Sequence, residues 1–368
     1  MKTHNAENER IKRKYIIYLK EAKRHSEQTV DAVAMSLARF EKYNGMKDFK
    51  AFNFNQAIAF KNHLAEQRAK RSGEKLSKAT LHATLANLKR FFHWLAGQPG
   101  YKSRFQYSDA DYFKLPENDV RVATAKREQK SPTLEQVKYV ISQMPTGTDV
   151  ERRDRALMAF TILTGARDSA ITSVKLKHVN LQDGSLYQDA REVRTKFAKT
   201  FTTTFFPVGE EIRAIVEDWI CHLRDDLLWG NDDPLFPATR VAYDQTSGQF
   251  RVAGLDRKGW GNATPIRKAF RIAFEGAGLP YFHPHSFRHT LVQLGEVLCP
   301  NPEAFKAWSQ NLGHEKVLTT FYSYGEVAPR RQGEIMRQLA RPQAASQSSA
   351  DEIADAVLRK MKAAGNER

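Results

Sequence analysis

The chain is poor in cysteine and lacks long apolar runs. Its 368 residues contain two cysteines, Cys221 and Cys299, too few for a disulfide framework and without paired metal-ligand spacing. No stretch approaches the roughly 18 consecutive apolar residues of a membrane helix. No apolar run follows the charged start "MKTHNAENERIKRK", so a secretory signal is not expected. We therefore expect a cytoplasmic protein without a membrane partner.

Motifs for nucleotide or metal cofactors are also missing. There is no G-x-x-x-x-G-K-[ST] phosphate loop and no carboxylate cluster. His285 and His289 have the i, i+4 spacing of a zinc-binding helix, but no glutamate lies between them and no cysteine or carboxylate partner is near. The sequence therefore predicts no metal and no cofactor, and a metal-dependent nuclease is the least favoured function.

Positive charge is abundant and unevenly distributed. The net charge is +16, from 58 Lys+Arg and 42 Asp+Glu. Residues 1–130 hold 27 Lys+Arg and 14 Asp+Glu, a net of +13, which leaves +3 for residues 131–368. A basic surface releases counterions from nucleic acid on binding. The charge thus favours a nucleic-acid partner over simple solubility, but says nothing about chemistry.

The N-terminal region has helical periodicity. In "SKATLHATLANLKRFFHWLAG", Ser77 is a candidate N-cap, Gly97 is a candidate stop, and leucines and Phe92 recur at helical spacing between them. Two preceding segments repeat the pattern, with lysine and arginine between the apolar stripes. We predict a basic helical domain over residues 1–110, followed by a linker over 111–130 where periodicity is lost.

The rest of the chain mixes helical and strand patterns. A helix with Pro132 in its first turn is predicted to open it, and "VNLQDGSLY" and "EVRTKFAKTFTTTFFPVG" are typical of short strands. We predict a mainly α protein with a small β-sheet, in which residues 131–340 form an α+β domain. Residues 341–368 are predicted as a flexible tail with a short amphipathic helix. Docking of this helix on a partner and folding back on its own domain are equally consistent with the sequence.

Candidate chemistry is spread over four short segments. They are "LTGAR" with Arg167, the threonine-rich hairpin with Lys196 and Lys199, "HPHSFRHT", and "LGHEKVLTTFYSYG". His285 and Arg288 are three residues apart and share a helix face. Both donate hydrogen bonds, and arginine can do so bidentately, so this pair suits an oxyanion better than a metal. Each segment alone has an ordinary structural explanation.

The order of these segments is informative. Arginine, a hairpin lysine, His-x-x-Arg, Leu-Gly-His and tyrosine follow one another along the chain, which resembles the tyrosine recombinase (phage integrase) family. The resemblance covers roughly residues 10–330. It implies a helical core-binding domain that binds DNA, followed by the family's α+β catalytic domain.

The resemblance also implies roles for individual residues. Arg167 and Arg288 would clamp the scissile phosphate, and His285 and His314 match the two other phosphate-contacting positions. The hairpin lysine would be the general acid to the leaving 5′-oxygen. Lys199, eight residues before Pro207, fits the family's spacing better than Lys196. One departure is that the family often has an acidic residue three positions after the first arginine, where this chain has Ala170.

The residue types fit this chemistry in their own right. A phosphodiester transition state carries negative charge that two arginines and two imidazoles can neutralise without metal. A phenol with a free pKa of about 10 needs such a positive site in order to attack at neutral pH. Attack would form a covalent 3′-phosphotyrosine that conserves the bond energy for religation, so no nucleotide is needed.

Two tyrosines compete for the role of nucleophile. Helical spacing does not choose between Tyr322 and Tyr324. Family members place the nucleophile nine or ten residues after the Leu-Gly-His histidine, and Tyr324 is ten after His314 whereas Tyr322 is eight. The register therefore predicts Tyr324, and Gly325 behind it would free the backbone.

The resemblance predicts a site-specific recombinase that acts on double-stranded DNA, as a homotetramer on two duplexes. A type IB topoisomerase shares the chemistry on one duplex. A non-catalytic DNA-binding protein of the same fold is the alternative from another class. The sequence names neither the DNA site nor a phage, mobile-element or housekeeping role.

Overall fold

A computed structural model describes residues 4–69, 73–125, 130–245 and 248–314. The chain divides into two compact units, Met1–Lys126 and Arg127–Arg368. Each has its own apolar core. None of the helices in the described ranges is both long enough and apolar enough to cross a membrane.

The first unit is helical, as predicted. Its α-helices are α1 (Ala6–Ile17), α2 (Glu27–Tyr43), α3 (Phe54–Glu66), α4 (Lys78–Ala96) and α5 (Glu117–Thr124). Ser77 caps α4 by accepting a hydrogen bond from the amide of Thr80, and Gly97 follows its last turn, which confirms both predicted helix ends. The core is aromatic: Phe52 stacks on Phe92 with ring centroids 3.8 Å apart.

The structure extends this unit beyond the predicted boundary. The linker expected from residue 111 onwards is wrong up to residue 125, because this segment includes the end of a 3₁₀ helix (Tyr107–Phe113) and all of α5. Phe113 and Leu115 are buried in the aromatic core. Two apolar anchors are enough to hold this segment, although they are too few to give a periodic pattern.

The second unit combines seven α-helices among its described residues with two small antiparallel sheets. The helices are α6 (Leu134–Gln143), α7 (Asp149–Thr164), α8 (Asp168–Ile171), α9 (Glu210–Cys221), α10 (Thr264–Gly276), α11 (Ser286–Leu298) and α12 (Pro302–Asn311). The strands are β1 (Val179–Asn180), β2 (Ser185–Gln188), β3 (Phe201–Thr204), β4 (Ala238–Asp244) and β5 (Gln249–Asp256).

Helix α7 is the centre of this unit. Its residues from Ala156 to Thr164 are all buried, which is the signature of a helix surrounded by other elements. Thr148 and Glu151 form a capping box at its start.

Another capping box, Thr133 with Gln136, begins α6. Pro132 therefore precedes that helix and does not lie in its first turn, contrary to the prediction. The Pro132 carbonyl instead accepts a hydrogen bond from Thr290 in α11.

The first sheet has the order β1-β2-β3. Leu186 in β2 pairs with Val179 and Thr203 in its two neighbours. The predicted strand character of "EVRTKFAKTFTTTFFPVG" is confirmed only for β3. Strands β4 and β5 form a separate hairpin, not predicted from the sequence, in which Val241, Tyr243, Phe250 and Val252 are exposed.

Candidate active site

Arg288 is the buried centre of the predicted site. It lies in the first turn of α11 and is 2% exposed. Its guanidinium donates to the backbone carbonyls of Gly165 and Leu312 and lies 2.9 Å from Nε2 of His314. One side chain therefore joins the "LTGAR" segment, α11 and the "LGH" segment, as only a planar multi-donor group can.

Gly165 brings the first arginine to this centre. It ends α7 with φ +59°, a left-handed conformation that favours glycine. A Cβ here would lie 2.8 Å from Leu312 Cδ2 and 2.9 Å from Leu291 Cδ1. The turn directs the chain to half-buried Arg167, which occupies the position directly before the short helix α8. The glycine break in the sequence thus reflects both conformation and crowding.

Gly165→Ala should destabilise the second unit by about 2–4 kcal/mol. About 1 kcal/mol comes from the left-handed backbone, and the rest from overpacking against two leucines. Urea unfolding would measure the loss. Gly278→Ala is the matched control, because Gly278 has φ +70° and a Cβ added there would meet nothing within 4 Å. Equal losses in the two variants would contradict the role assigned to close packing.

His314 follows a second glycine turn. Gly313 has φ +73°, and a Cβ on it would lie 2.7 Å from Cζ of Phe201 in β3. The imidazole is buried. Since arginine has only donors, Nε2 of His314 must accept from Arg288, so in the neutral ring the proton is on Nδ1.

The electrostatics of His314 show which predicted residues come together. Burial, followed by the positive charges of Arg288, Arg167 and Lys199 and by the neighbouring His285, lowers the pKa of His314 to about 3. All four of these neighbours act in the same direction. The structure therefore brings five of the six predicted site residues into one electropositive cluster, the type of site that receives an anion.

The start of α11 carries two neighbouring histidines, of which His285 is exposed and His289 is buried. Burial, Arg288 and the adjacent histidines lower the pKa of His285 to about 4, and the pKa of His289 also falls to about 4. The His285 and His289 rings are 5.7 Å apart and nearly perpendicular. Within the described part of the chain, no group of three His, Cys, Asp or Glu side chains has the geometry to hold a metal.

Lys199 lies between β2 and β3, two residues before β3 begins. It is half-buried, and its charge acts on His314. Lys196 is exposed, and its Nζ lies 4.9 Å from the centroid of the Phe197 ring. Of the two candidates, Lys199 is the one whose charge reaches the cluster, in agreement with the spacing argument.

Asn311 joins α12 to the lysine-bearing hairpin, a role that no sequence motif indicates. Its side-chain oxygen accepts from the Thr204 amide at 2.7 Å, and its side-chain nitrogen donates to the Thr204 carbonyl at 2.8 Å. The Asn311 carbonyl also accepts from the Thr203 hydroxyl. These bonds fix the turn that carries His314 to the strand that follows Lys199. The only signal available is the position of Asn311 directly before "LGH".

Two further anchoring residues escape prediction from the sequence. His178 is buried, and its Nε2 lies 2.9 Å from Oε2 of Glu192. Glu192 is near the start of the loop that joins β2 and β3, residues 189–200, called the lysine loop below. Asp168 pairs with Arg267 of α10 at 2.7 Å, whereas Ala170, at the position where the family often has an acid, is buried and apolar. Side-chain partners this far apart in sequence leave no local pattern.

The predicted nucleophile Tyr324, its competitor Tyr322 and the predicted tail 341–368 lie outside the described residues. Their assignments remain predictions.

The depressed histidine pKa values predict acid sensitivity. A neutral buried imidazole stabilises the fold fully above the unfolded pKa of 6.5, and this contribution is lost as the pH falls towards the folded value of about 3. When the pH is lowered from 7 to 5, the depressed pKa of His314 should reduce the free energy of unfolding by up to about 2 kcal/mol. His285 should add less, because its side chain is partly exposed to solvent.

Urea unfolding at the two pH values would test this. His314→Gln, whose amide oxygen can still accept from Arg288, should show a pH 7-to-5 loss smaller by about 1–2 kcal/mol. Substitution of the exposed His25 by glutamine is the control. An unchanged loss in His314→Gln would refute the assignment.

The first unit is helical, and the second unit brings together two arginines, two histidines and a hairpin lysine. This combination defines the class of tyrosine recombinases. Comparison with known proteins agrees. The sequence model of the phage integrase family matches residues 132–330, and that of the phage integrase N-terminal SAM-like domain matches residues 13–98. The first match alone spans more than half of the chain, so the chain belongs to the phage integrase family and is a tyrosine recombinase.

Individual relatives are distant. The chain is 24% identical over 317 residues to the tyrosine recombinase XerC of Lactobacillus delbrueckii subsp. bulgaricus. The aligned region covers 84% of this chain and 92% of the relative. It is 23% identical over 315 residues to XerC of Halalkalibacterium halodurans, covering 83% of this chain and 89% of the relative.

Solved structures show the same fold. A lambda integrase dimer bound to a COC' core site matches with a TM-score of 0.57 and 14% identity, over 86% of this chain and 77% of that one. XerH site-specific recombinase bound to its difH substrate matches with a TM-score of 0.53 and 16% identity, over 88% and 83%. These matches confirm the predicted fold class.

Proposed function

We propose that the protein cuts and rejoins duplex DNA at specific sites through a covalent 3′-phosphotyrosine, without metal or nucleotide. The observation that carries this proposal is the buried pair of Arg288 and His314, 2.9 Å apart, with Arg167, Lys199 and His285 near enough to act on His314 electrostatically. Family membership supports recombination as the outcome, and the related structures were solved with DNA bound.

The cluster supplies the parts that phosphoryl transfer needs. Arg288 is held rigidly by two carbonyls and His314, so the position of its guanidinium is preorganised. Arg167 would complete the clamp on the non-bridging oxygens. His314, with its proton on Nδ1, would add a neutral donor.

In the proposed reaction, each proton movement is assigned to one residue. The Tyr324 oxygen would bond to phosphorus, and the bond from phosphorus to the 5′-oxygen would break. His285 is neutral at pH 7 because its pKa is about 4, so it can accept the phenol proton. Lys199 would give a proton to the leaving 5′-oxygen. The reverse sequence, with another 5′-hydroxyl, would rejoin the strands.

DNA binding is assigned first to the basic N-terminal region. Residues 1–130 carry a net charge of +13, and neutralising phosphates releases counterions. A homotetramer on two duplexes, as in the resemblance, would provide four such sites for strand exchange. The tail beyond residue 341 is a candidate for contacting a neighbouring copy.

The test uses a pool of suicide duplexes nicked a few nucleotides from the cleavage point, with randomised flanking sequence. A cut releases a short 5′-hydroxyl fragment and traps the protein on DNA. We expect SDS-stable adducts in EDTA, from which the site can be sequenced. No adduct, or a strict need for Mg²⁺, contradicts the proposal. Exchange between two duplexes, as opposed to relaxation alone, separates a recombinase from a topoisomerase.

A further inference from the structure

The lysine loop has a strained and exposed aromatic tip. Phe197 is 81% exposed and has φ +62°, and Ala198 has φ +50°. Left-handed backbone is disfavoured for residues with a Cβ, by roughly 1 kcal/mol or more each. Two such residues in succession, one of them a solvent-exposed phenylalanine, gain nothing evident from packing inside the second unit.

The strain does not come from a loosely held loop. Both sides of the tip are fixed. The Arg194 amide donates to Ser173 Oγ at 2.9 Å, and its guanidinium donates to the Gly261 carbonyl at 2.7 Å. The Thr200 hydroxyl accepts from the Ala190 amide at 3.0 Å. Strain that persists between fixed ends is typical of functional sites.

The tip is also next to the cluster. Lys199 acts electrostatically on His314, and Phe197 precedes it by two residues. Lys196 lies on the other side, with its ammonium over the Phe197 ring. Lys196 and Lys199 thus lie within two residues of Phe197 in the sequence, and these two cations would draw the tip to phosphates, although the ring itself binds no phosphate.

We propose that Phe197 is a specificity-determining residue that wedges against the base step beside the cleaved phosphate. This inference rests on the proposed function. An apolar side chain that enters a groove partly unstacks the step it meets. Pyrimidine–purine steps unstack most easily, so the ring should select them through deformability and without hydrogen bonds. The strained backbone is what directs the ring out of the protein.

The randomised pool gives the readout. In adducts of the unmodified protein, we expect one pyrimidine–purine step next to the cleavage point to be enriched about fivefold or more. Phe197→Leu should weaken this enrichment and Phe197→Gly should abolish it, while preferences at distant positions stay the same. Phe250→Ala is the matched control, because Phe250 is 74% exposed on β5 and outside the cluster.

Phe197→Gly also separates a structural role from a DNA-contacting one. Glycine relieves the left-handed strain, so the melting temperature should be unchanged or higher while selectivity at the step is lost. A lower melting temperature with the step preference retained would overturn the inference. If the unmodified protein forms adducts but Phe197→Gly keeps its full preference, the inference fails and the proposed function stands. If the unmodified protein forms no adduct, both fail.

Discussion

Tyr324→Phe is expected to abolish the covalent protein–DNA adduct, with a loss of at least about 10³-fold, because the variant lacks the attacking oxygen. Binding to duplex DNA should persist, since phosphate contacts come from other groups. The measurements are SDS-stable adducts on a nicked duplex and, in parallel, a mobility-shift assay.

Tyr322→Phe is the control for register. It removes an identical hydroxyl two residues away and should leave adduct formation within about twofold. The opposite pattern would assign the nucleophile to Tyr322, at eight residues after His314. Loss in both variants would indicate that the segment needs both hydroxyls, and peptide mapping of the adduct would then identify the residue bonded to DNA.

Arg288→Lys is expected to reduce both activity and stability. The ammonium keeps the charge but cannot reach Gly165, Leu312 and His314 together from one planar group. We expect adduct formation to fall by about 10²–10³-fold. Urea unfolding should show a loss of about 2–4 kcal/mol, because buried carbonyls lose charged donors.

Arg167→Lys provides the contrast. Arg167 is half-buried at the start of α8. Its replacement should reduce adduct formation by a similar factor, but should lower the free energy of unfolding by less than about 1 kcal/mol. The two arginines would then share a role in the reaction and differ in the fold. Equal stability losses would mean that Arg288 is not the structural centre described above.

Most of the site could be predicted because it is built from short, ordered segments. The spacing of His285 and Arg288, the glycine of "LTGAR" and the proline eight residues after Lys199 are local signals, and the structure brings these residues together. The helices were predictable for a similar reason, since the stripe of α4 and the caps at Ser77 and Gly97 are contained in one segment.

The features that could not be predicted depend on contacts between distant residues. Asn311 and Thr204 are 107 positions apart, and neither belongs to a pattern. Strands β4 and β5 were not predicted, although Val241 and Tyr243, and Phe250 and Val252, alternate with polar or small residues. These four side chains are exposed, so their alternation does not mark a face packed against the core. The C-terminal boundary of the first unit could not be predicted because Phe113 and Leu115, in a charged stretch, are too few to give a periodic pattern.

The amide of Asn311 has one more consequence. Among the residues that the structure describes, β3 is the last strand of its sheet, and an edge strand exposes backbone groups that can recruit a strand from another molecule. Asn311 occupies both the N–H and the C=O of Thr204, as a neighbouring strand would. The edge is therefore closed at this residue by a side chain from its own unit. In the proposed homotetramer, high local concentration would favour unwanted strand pairing, and the closed edge would oppose it at this residue.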